Sequence, residues 1–555
     1  MQAVILAGGR GTRLAALTGG LPKPLIDIGG RPLLVRQIEL LQAHGVTSVL
    51  VLASYRADLL KSVLMAQAGL QPALEFAEED EAAPLGTAGA LLNAFHLLKE
   101  RMIVLYGDCM LNVDVGRMLA WHRARGAQVS LLVHPNDHPE DSDLVEADPD
   151  GRVTALHSCP HPAGTWLANQ VNAALYVIEK PALALAHARW RDAPETKRAI
   201  DIARHLFPQL LASGTGLYAY RSPEYIKDAG TPKRYARVLG DWCSGRIART
   251  GLDHPQKAIF LDRDGTLNEE VDHVTRAEEL RLIPGVGGAL RRINESEFRA
   301  VVVTNQPVLA RGDCDAAALA RIHAKLDTLL GREGAYLDAL YYCPHHPHRG
   351  YAGEVRELKI DCTCRKPGPG LLLAAKTDLN IDFAQSWMIG DSTVDLQTAK
   401  ALGIRSVLVE TGKAGKDGAF DAAPLYRFAT LEAAARFIID EHPSLFAIAR
   451  EASADWQAGE CAVLGGEGDL LQWAGLFAEA CTARGLQVLV NPGTAQPLSA
   501  NTLVIITVEP SAHAQSSLSA FRYIGVERLG GNATRFGTCG NARDAAGTAI
   551  ERGHI

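Results

Sequence analysis

A recurring unit constrains this chain more than any other feature: a short apolar run that closes on a glycine, a carboxylate or another polar group. VTSVLVLAS, RMIVLYGD, KAIFLDRD, RAVVVTNQ and RSVLVE are of this kind, with amphipathic helical stretches between them. Runs too apolar to alternate, bounded by turn residues, are strands buried on both faces, and intervening helices make such a sheet parallel. The chain is therefore α/β. Ligand chemistry is expected at the carboxyl ends of the strands. No repeat of fixed period is visible, which argues against a solenoid.

At 555 residues the chain is too long for one hydrophobic core. Its breaks are marked by turn residues: WCSGRIARTGLDHPQKAIF gathers Gly245, Gly251 and Pro255 before a new strand, and DEHPSLF falls near residue 443. We expect three domains, spanning 1–245, 255–440 and 445–555. A net charge of −7 argues against nucleic-acid or anionic-membrane partners, which demand a basic surface. The opening MQAVILAGG is too short in apolar residues for a signal sequence, and no apolar stretch of about 18 residues occurs. A cytoplasmic protein is expected, and its ten cysteines should be thiols and metal ligands rather than disulfides.

In AVILAGGRGTRL a strand runs into Gly8, Gly9 and Gly11, followed by Thr12 and Arg13. Glycines let backbone N–H groups approach a polyphosphate, and Arg13 adds a forked donor; a tight turn without ligand would use the same glycines. LPKPL presents Lys23 between two prolines. LYGD ends on Asp108 and YIKDAGTP carries Asp228, two loop carboxylates able to hold one Mg²⁺ against nucleotide phosphates.

Together with LGTAGAL at 85–91, NAALYVI at 172–178 and DAGTP at 228–232, this block resembles the sugar-1-phosphate nucleotidyltransferases over roughly residues 1–240. Within them it looks nearest to guanylyltransferases of mannose-type or heptose-type 1-phosphates. The resemblance implies a Rossmann-like domain in which Gly8, Gly9, Gly11, Thr12 and Arg13 hold the triphosphate, GTP being favoured. Lys23 and Arg13 would stabilise charge at the reacting phosphate, and Asp108 and Asp228 would bind Mg²⁺. One departure stands out: where the family often has Glu-Lys-Pro, this chain reads HSCPHPAG at 157–164, so sugar contacts there are not carried over.

AIFLDRDGTLNEE ends a strand with Asp262 and Asp264, two positions apart and able to converge on one bound group. One carboxylate can attack phosphorus while the other serves the leaving oxygen. Later runs finish with Thr304 and Asn305 in VVVTNQ, Arg365 and Lys366 in CRKPGPG, and Asp391 with Asp395 in MIGDSTVDLQ. This order resembles the haloacid-dehalogenase-type (HAD) phosphatases, with all four motifs present. It implies a Rossmannoid domain with Asp262 as nucleophile and Asp264 as general acid and base. Thr304, Asn305, Arg365 and Lys366 would bind the phosphoryl group, with Asp262, Asp264, Asp391 and Asp395 around Mg²⁺.

YYCPHHPHRG and IDCTCRKP place Cys343, His345, Cys362 and Cys364 in two arms of equal spacing, enough to close a structural tetrahedral Zn²⁺ site. His346 and His348 offer the same ligand type as His345, and a metal-free loop is the plain alternative. The pattern looks like the zinc-bearing phosphatases that act on heptose 1,7-bisphosphate or on histidinol phosphate. VTNQPVLARG resembles their substrate loop, with Pro307 and Val308 in place of the usual Ser-Gly. Domain pairing separates the two substrates: a 7-phosphatase produces heptose 1-phosphate, which a nucleotidyltransferase consumes. The expectation is a bifunctional enzyme of nucleotide-activated heptose synthesis, serving lipopolysaccharide or other surface polysaccharide. Its alternatives are a histidinol-phosphate phosphatase, or a first block that binds sugar nucleotides without catalysis.

From residue 445, CAVLGGEGD, LLQWAGLFAEACTARG, LQVLVN and NTLVIITVEP read as a small α/β domain. The glycines Gly465, Gly466 and Gly468 are a weak signal, and no catalytic residue is assigned there.

Overall fold

A computed structural model describes residues 1–9, 11–14, 18–194, 199–444 and 446–447, residues 476 and 479, and four further strand segments. The first block is built on a sheet whose central strands are Arg101–Tyr106, Gln2–Leu6, Ser48–Ala53 and Ala73–Glu78, all parallel. Antiparallel Val171–Glu179 continues the sheet beyond Arg101–Tyr106, and Val129–His134 and Leu217–Arg221 extend it further. Apolar cores fill both faces, which is why these strands are apolar at successive positions rather than alternating. A separate ribbon pairs Cys109–Asn112 with Tyr225–Asp228, and the Ala229 N–H donates to the Asp108 carbonyl at 2.9 Å. That pairing brings two distant stretches of chain to one place.

The second block is a six-stranded parallel sheet in the order Ala339–Cys343, Phe298–Asn305, Lys257–Leu261, Trp387–Gly390, Arg405–Val409, Tyr426–Phe428. It too carries an apolar core on each face. Its amino edge receives the first block. Arg299, at the start of its strand, donates to the Pro223 carbonyl at 2.6 Å and the Thr250 carbonyl at 2.7 Å, while pairing with Asp338 at 3.0 Å. The segment just after HSCPHPAG also docks here. The Leu167 N–H donates to Thr328 and the Asn169 N–H to Asp327, each at 3.0 Å, on the helix Ala316–Arg332.

Four strands of the last block form one sheet: Gln487–Val490, Cys461–Leu464 and Thr502–Ile505 run parallel, and Val526–Leu529 runs antiparallel. Gly465, Gly466, Gly468 and most of the expected helix lie outside the described residues. Leu476 nevertheless packs into the phosphatase core, and Glu479 accepts bonds from Tyr426 at 3.1 Å and from His442 at 2.8 Å. No helix among the described residues is long and apolar enough to cross a membrane.

Candidate functional site

At the carboxyl edge of the six-stranded sheet, strand ends deliver the polar groups that line a cavity of about 190 Å³. Asp262 follows Lys257–Leu261, Thr304 and Asn305 close Phe298–Asn305, and Asp391 follows Trp387–Gly390. Asp395 sits in the first turn of the helix Thr393–Leu402, where Ser392 donates to it at 2.7 Å. The Lys366 ammonium lies 2.9 Å from Asp262 and 2.6 Å from Asp395. Asn305 and the Lys366 backbone bond each other in both directions, at 2.9 and 3.0 Å, which fixes where that ammonium points.

Carboxylates of Asp262, Asp391 and Asp395 lie within 4.8 Å of one another. Burial, with mutual repulsion, pushes Asp262 up to about 6 against the opposing pull of Lys366. Burial likewise raises Asp391 to about 7, although the Lys413 N–H opposes it. Lys366 offsets part of the charge of these three desolvated carboxylates, and the all-oxygen donor set that remains suits a hard divalent ion. Gly265 allows the crowding: at φ +73° it adopts a left-handed turn, and a Cβ there would stand 2.3 Å from Asp391.

The structure does not bring Asp264 into this carboxylate cluster. Its oxygens accept from Arg263 at 2.8 Å, Asn268 at 2.9 Å and Gln306 at 3.0 Å. Burial works to raise this carboxyl, but Arg263 and the amide donors hold it below the usual range. Arg263, which holds Asp264, and Gln306, Glu270 and Lys413, which line the cavity, carry no signal in the sequence that marks them out. Gln306 also donates to Thr304 at 3.0 Å, tying two motifs together.

Beside this cavity the loop thiols converge. Sulfur atoms of Cys343, Cys362 and Cys364 are 3.2–3.6 Å apart, and His345 Nδ1 lies 3.3 Å from Cys364 and 3.8 Å from Cys343. A tetrahedral ion with bonds of about 2.3 Å to sulfur has edges of about 3.8 Å, so the four atoms fit a metal. His345 is the histidine brought in; His346 turns instead to the His348 carbonyl at 3.2 Å. Arg365 reaches back to the His345 carbonyl at 3.2 Å, connecting this cluster to the phosphate-facing residues.

In the first block a cavity of about 290 Å³ is lined by Gly8, Gly9, Lys23, Glu79, Gly86, Thr87, Tyr106 and Asp108 among others. Buried Lys23 is ion-paired with Asp108. Its ammonium and one Asp228 oxygen both fall within 2.8 Å of where a Gly230 Cβ would sit, so a side chain there would have to displace one or both of them. Arg234, also unmarked in the sequence, pairs with Asp228 at 2.7 Å. Gly11 packs on the Lys23 side chain, while Thr12 and Arg13 stand exposed outside the cavity lining. Glu79 is half-buried; burial raises its carboxyl, and one oxygen accepts the Leu85 N–H at 3.3 Å.

Comparison with known proteins follows the same division. The Nucleotidyl transferase family matches residues 2–243, and the HAD-hydrolase-like family matches residues 363–434. The D-glycero-beta-D-manno-heptose-1,7-bisphosphate 7-phosphatase of Escherichia coli K12 is 44% identical over 157 residues, covering 28% of this chain and 80% of that one. Among solved structures, HddC from Yersinia pseudotuberculosis complexed with GMP-PN is 26% identical with a TM-score of 0.36, covering 43% of this chain and 99% of that one. The D,D-heptose 1.7-bisphosphate phosphatase from B. bronchiseptica, complexed with magnesium and phosphate, is 34% identical with a TM-score of 0.29, covering 33% and 97%. Two catalytic domains in one chain make this a bifunctional enzyme, and its phosphatase part, carried behind an amino-terminal nucleotidyl transferase domain, belongs to the D-glycero-beta-D-manno-heptose-1,7-bisphosphate 7-phosphatase family.

Proposed function

We propose that the protein removes the 7-phosphate from D-glycero-β-D-manno-heptose 1,7-bisphosphate and then joins the resulting heptose 1-phosphate to GMP drawn from GTP. The observation that carries the first step is the Asp262 carboxylate held 2.9 Å from Lys366, with Asp264 separately oriented by Arg263. The choice of substrate rests on the 44% identity to the enterobacterial 7-phosphatase. An Asp262 oxygen attacks phosphorus as the bond to the sugar oxygen breaks, and Asp264, which first takes up a proton from solvent although Arg263 favours its ionised form, gives that oxygen the proton. Water then attacks the aspartyl-phosphate, Asp264 takes the water's proton, and the bond from phosphorus to Asp262 breaks. Lys366 and Thr304 orient the phosphoryl oxygens throughout. Asp262, Asp391 and Asp395 would hold Mg²⁺, which would neutralise the incoming phosphate. Cys343, His345, Cys362 and Cys364 would hold Zn²⁺ as a staple that keeps Arg365 and Lys366 in place.

In the second step the sugar phosphate oxygen attacks the α-phosphorus in line and pyrophosphate leaves, so positioning and charge neutralisation do most of the work. Lys23 supplies a cation beside Asp108 and Asp228, the pair suited to Mg²⁺. Glu79 supports guanine as the base: a carboxylate wants two adjacent N–H donors, and only guanine offers them, from N1 and N2. Such triphosphates are abundant in the cytoplasm, where we place the enzyme.

Separate assays of each half test this reading. Phosphate should be released from heptose 1,7-bisphosphate and not from histidinol phosphate. Turnover of histidinol phosphate alone would replace the heptose reading with the histidinol one.

A further inference from the structure

Asp264 needs a fixed orientation to serve a leaving oxygen, and the residue beside it provides one in an unusual way. Arg263 has no exposed area, yet carries a full charge inside the phosphatase domain. Its Nη2 donates to both Asp264 oxygens at 2.8 Å and its Nε to Oδ1 at 3.1 Å. This leaves Nη1, which meets His323 Nε2 at 3.2 Å. A guanidinium only donates, so the imidazole must accept through Nε2, with its proton on Nδ1. Burial first, and then Arg263 itself, push His323 down to about 3, so the ring is neutral at any working pH and the accepting tautomer is retained. The ring is also held against Tyr342, with centroids 5.5 Å apart. His323 comes from the middle of the helix Ala316–Arg332, far in sequence from the aspartate motif.

We propose that His323 is a positioning residue for phosphoryl transfer: acting through Arg263, it holds the Asp264 carboxyl at the angle from which it protonates the leaving sugar oxygen. The inference rests on the roles of Asp262 and Asp264 proposed above. Without an acceptor at position 323, the buried Nη1 has no partner at that point, and Arg263 must turn to find one, taking Asp264 with it.

The test compares two leaving groups in full-length protein. Release of a sugar alkoxide from heptose 1,7-bisphosphate needs an acid, whereas p-nitrophenolate leaves from p-nitrophenyl phosphate without one. Since kcat/KM reports only the steps through departure of the alcohol, His323→Leu should lower kcat/KM about tenfold to a hundredfold for the sugar phosphate and less than about threefold for the aryl phosphate. His323→Gln, whose side-chain oxygen can accept from Nη1, should recover most of the loss. An equal fall for both substrates in His323→Leu, or no fall for either, overturns the proposal; so does a Gln variant no better than Leu at equal Tm. Asp264→Asn runs alongside as the reference. Sugar-selective loss there but not in His323→Leu removes the positioning role alone. No sugar-selective loss in Asp264→Asn removes the general-acid reading, and the proposal with it.

Discussion

Single residues divide by whether they announce their chemistry. Asp262 and Asp391, which the fold brings to one cavity, could be picked out because each closes an apolar run, where a buried strand has no other use for a charge; Lys366, expected at a strand end, lies instead in the turn that follows Cys364. Arg263 and His323 could not be picked out, because a residue inside a motif and another on a distant helix meet only in the fold. Glu79 is one of several acids in AEEDE, and nothing in that run singles it out. Glu79→Gln exchanges one acceptor for a donor, and its preference for GTP over the other triphosphates should fall about tenfold to a hundredfold. Pyrophosphate release with four triphosphates measures this, and unchanged selectivity would dismiss Glu79 as the reader of the base. A second residue speaks to stability. His122 is fully buried against Ser130 at 2.7 Å, and burial lowers its pKa although Glu179 pulls the other way. The folded state therefore refuses a proton that the unfolded chain accepts below about pH 6.5, so stability falls as pH drops through that value. Thermal unfolding between pH 5 and 8 should show this acid limb, and His122→Asn should flatten it.

At the scale of elements, the strands were readable and the loops only where they carry chemistry. KAIFLDRD and RAVVVTNQ became Lys257–Leu261 and Phe298–Asn305, because doubly buried strands are written in apolar residues alone. The cysteine loop was legible from ligand spacing, although choosing His345 over His346 and His348 needed the backbone path. That loop has few apolar residues, so metal binding should contribute several kcal/mol of its order. Cys362→Ser, or a strong chelator, should lower the Tm of the phosphatase transition and cut phosphatase activity while pyrophosphate release persists. Elemental analysis of the purified protein would show whether one zinc accompanies each chain. The segment after HSCPHPAG was opaque for a different reason. Its backbone bonds to Thr328 and Asp327 serve a neighbouring domain, and sequence does not display a partner surface.

For the whole molecule, what matters is which edge of the phosphatase sheet meets the first domain. Arg299 joins them at the amino edge, while Thr304, on the same strand, lines the cavity at the carboxyl edge. Five residues of strand put about 17 Å of packed sheet between those two points. A sugar phosphate released at the carboxyl edge is therefore expected to pass through solvent before it reaches the first domain. Excess unlabelled heptose 1-phosphate should dilute the label that reaches the sugar nucleotide to the bulk ratio; undiluted product would reveal a protected route. The central claim, two consecutive reactions in one chain, is tested most directly in a single vessel. Purified protein, Mg²⁺, heptose 1,7-bisphosphate and GTP, ATP, UTP and dTTP together should yield GDP-heptose, with one phosphate and one pyrophosphate released for each molecule formed. Phosphate release with no sugar nucleotide from any of the four triphosphates would contradict it.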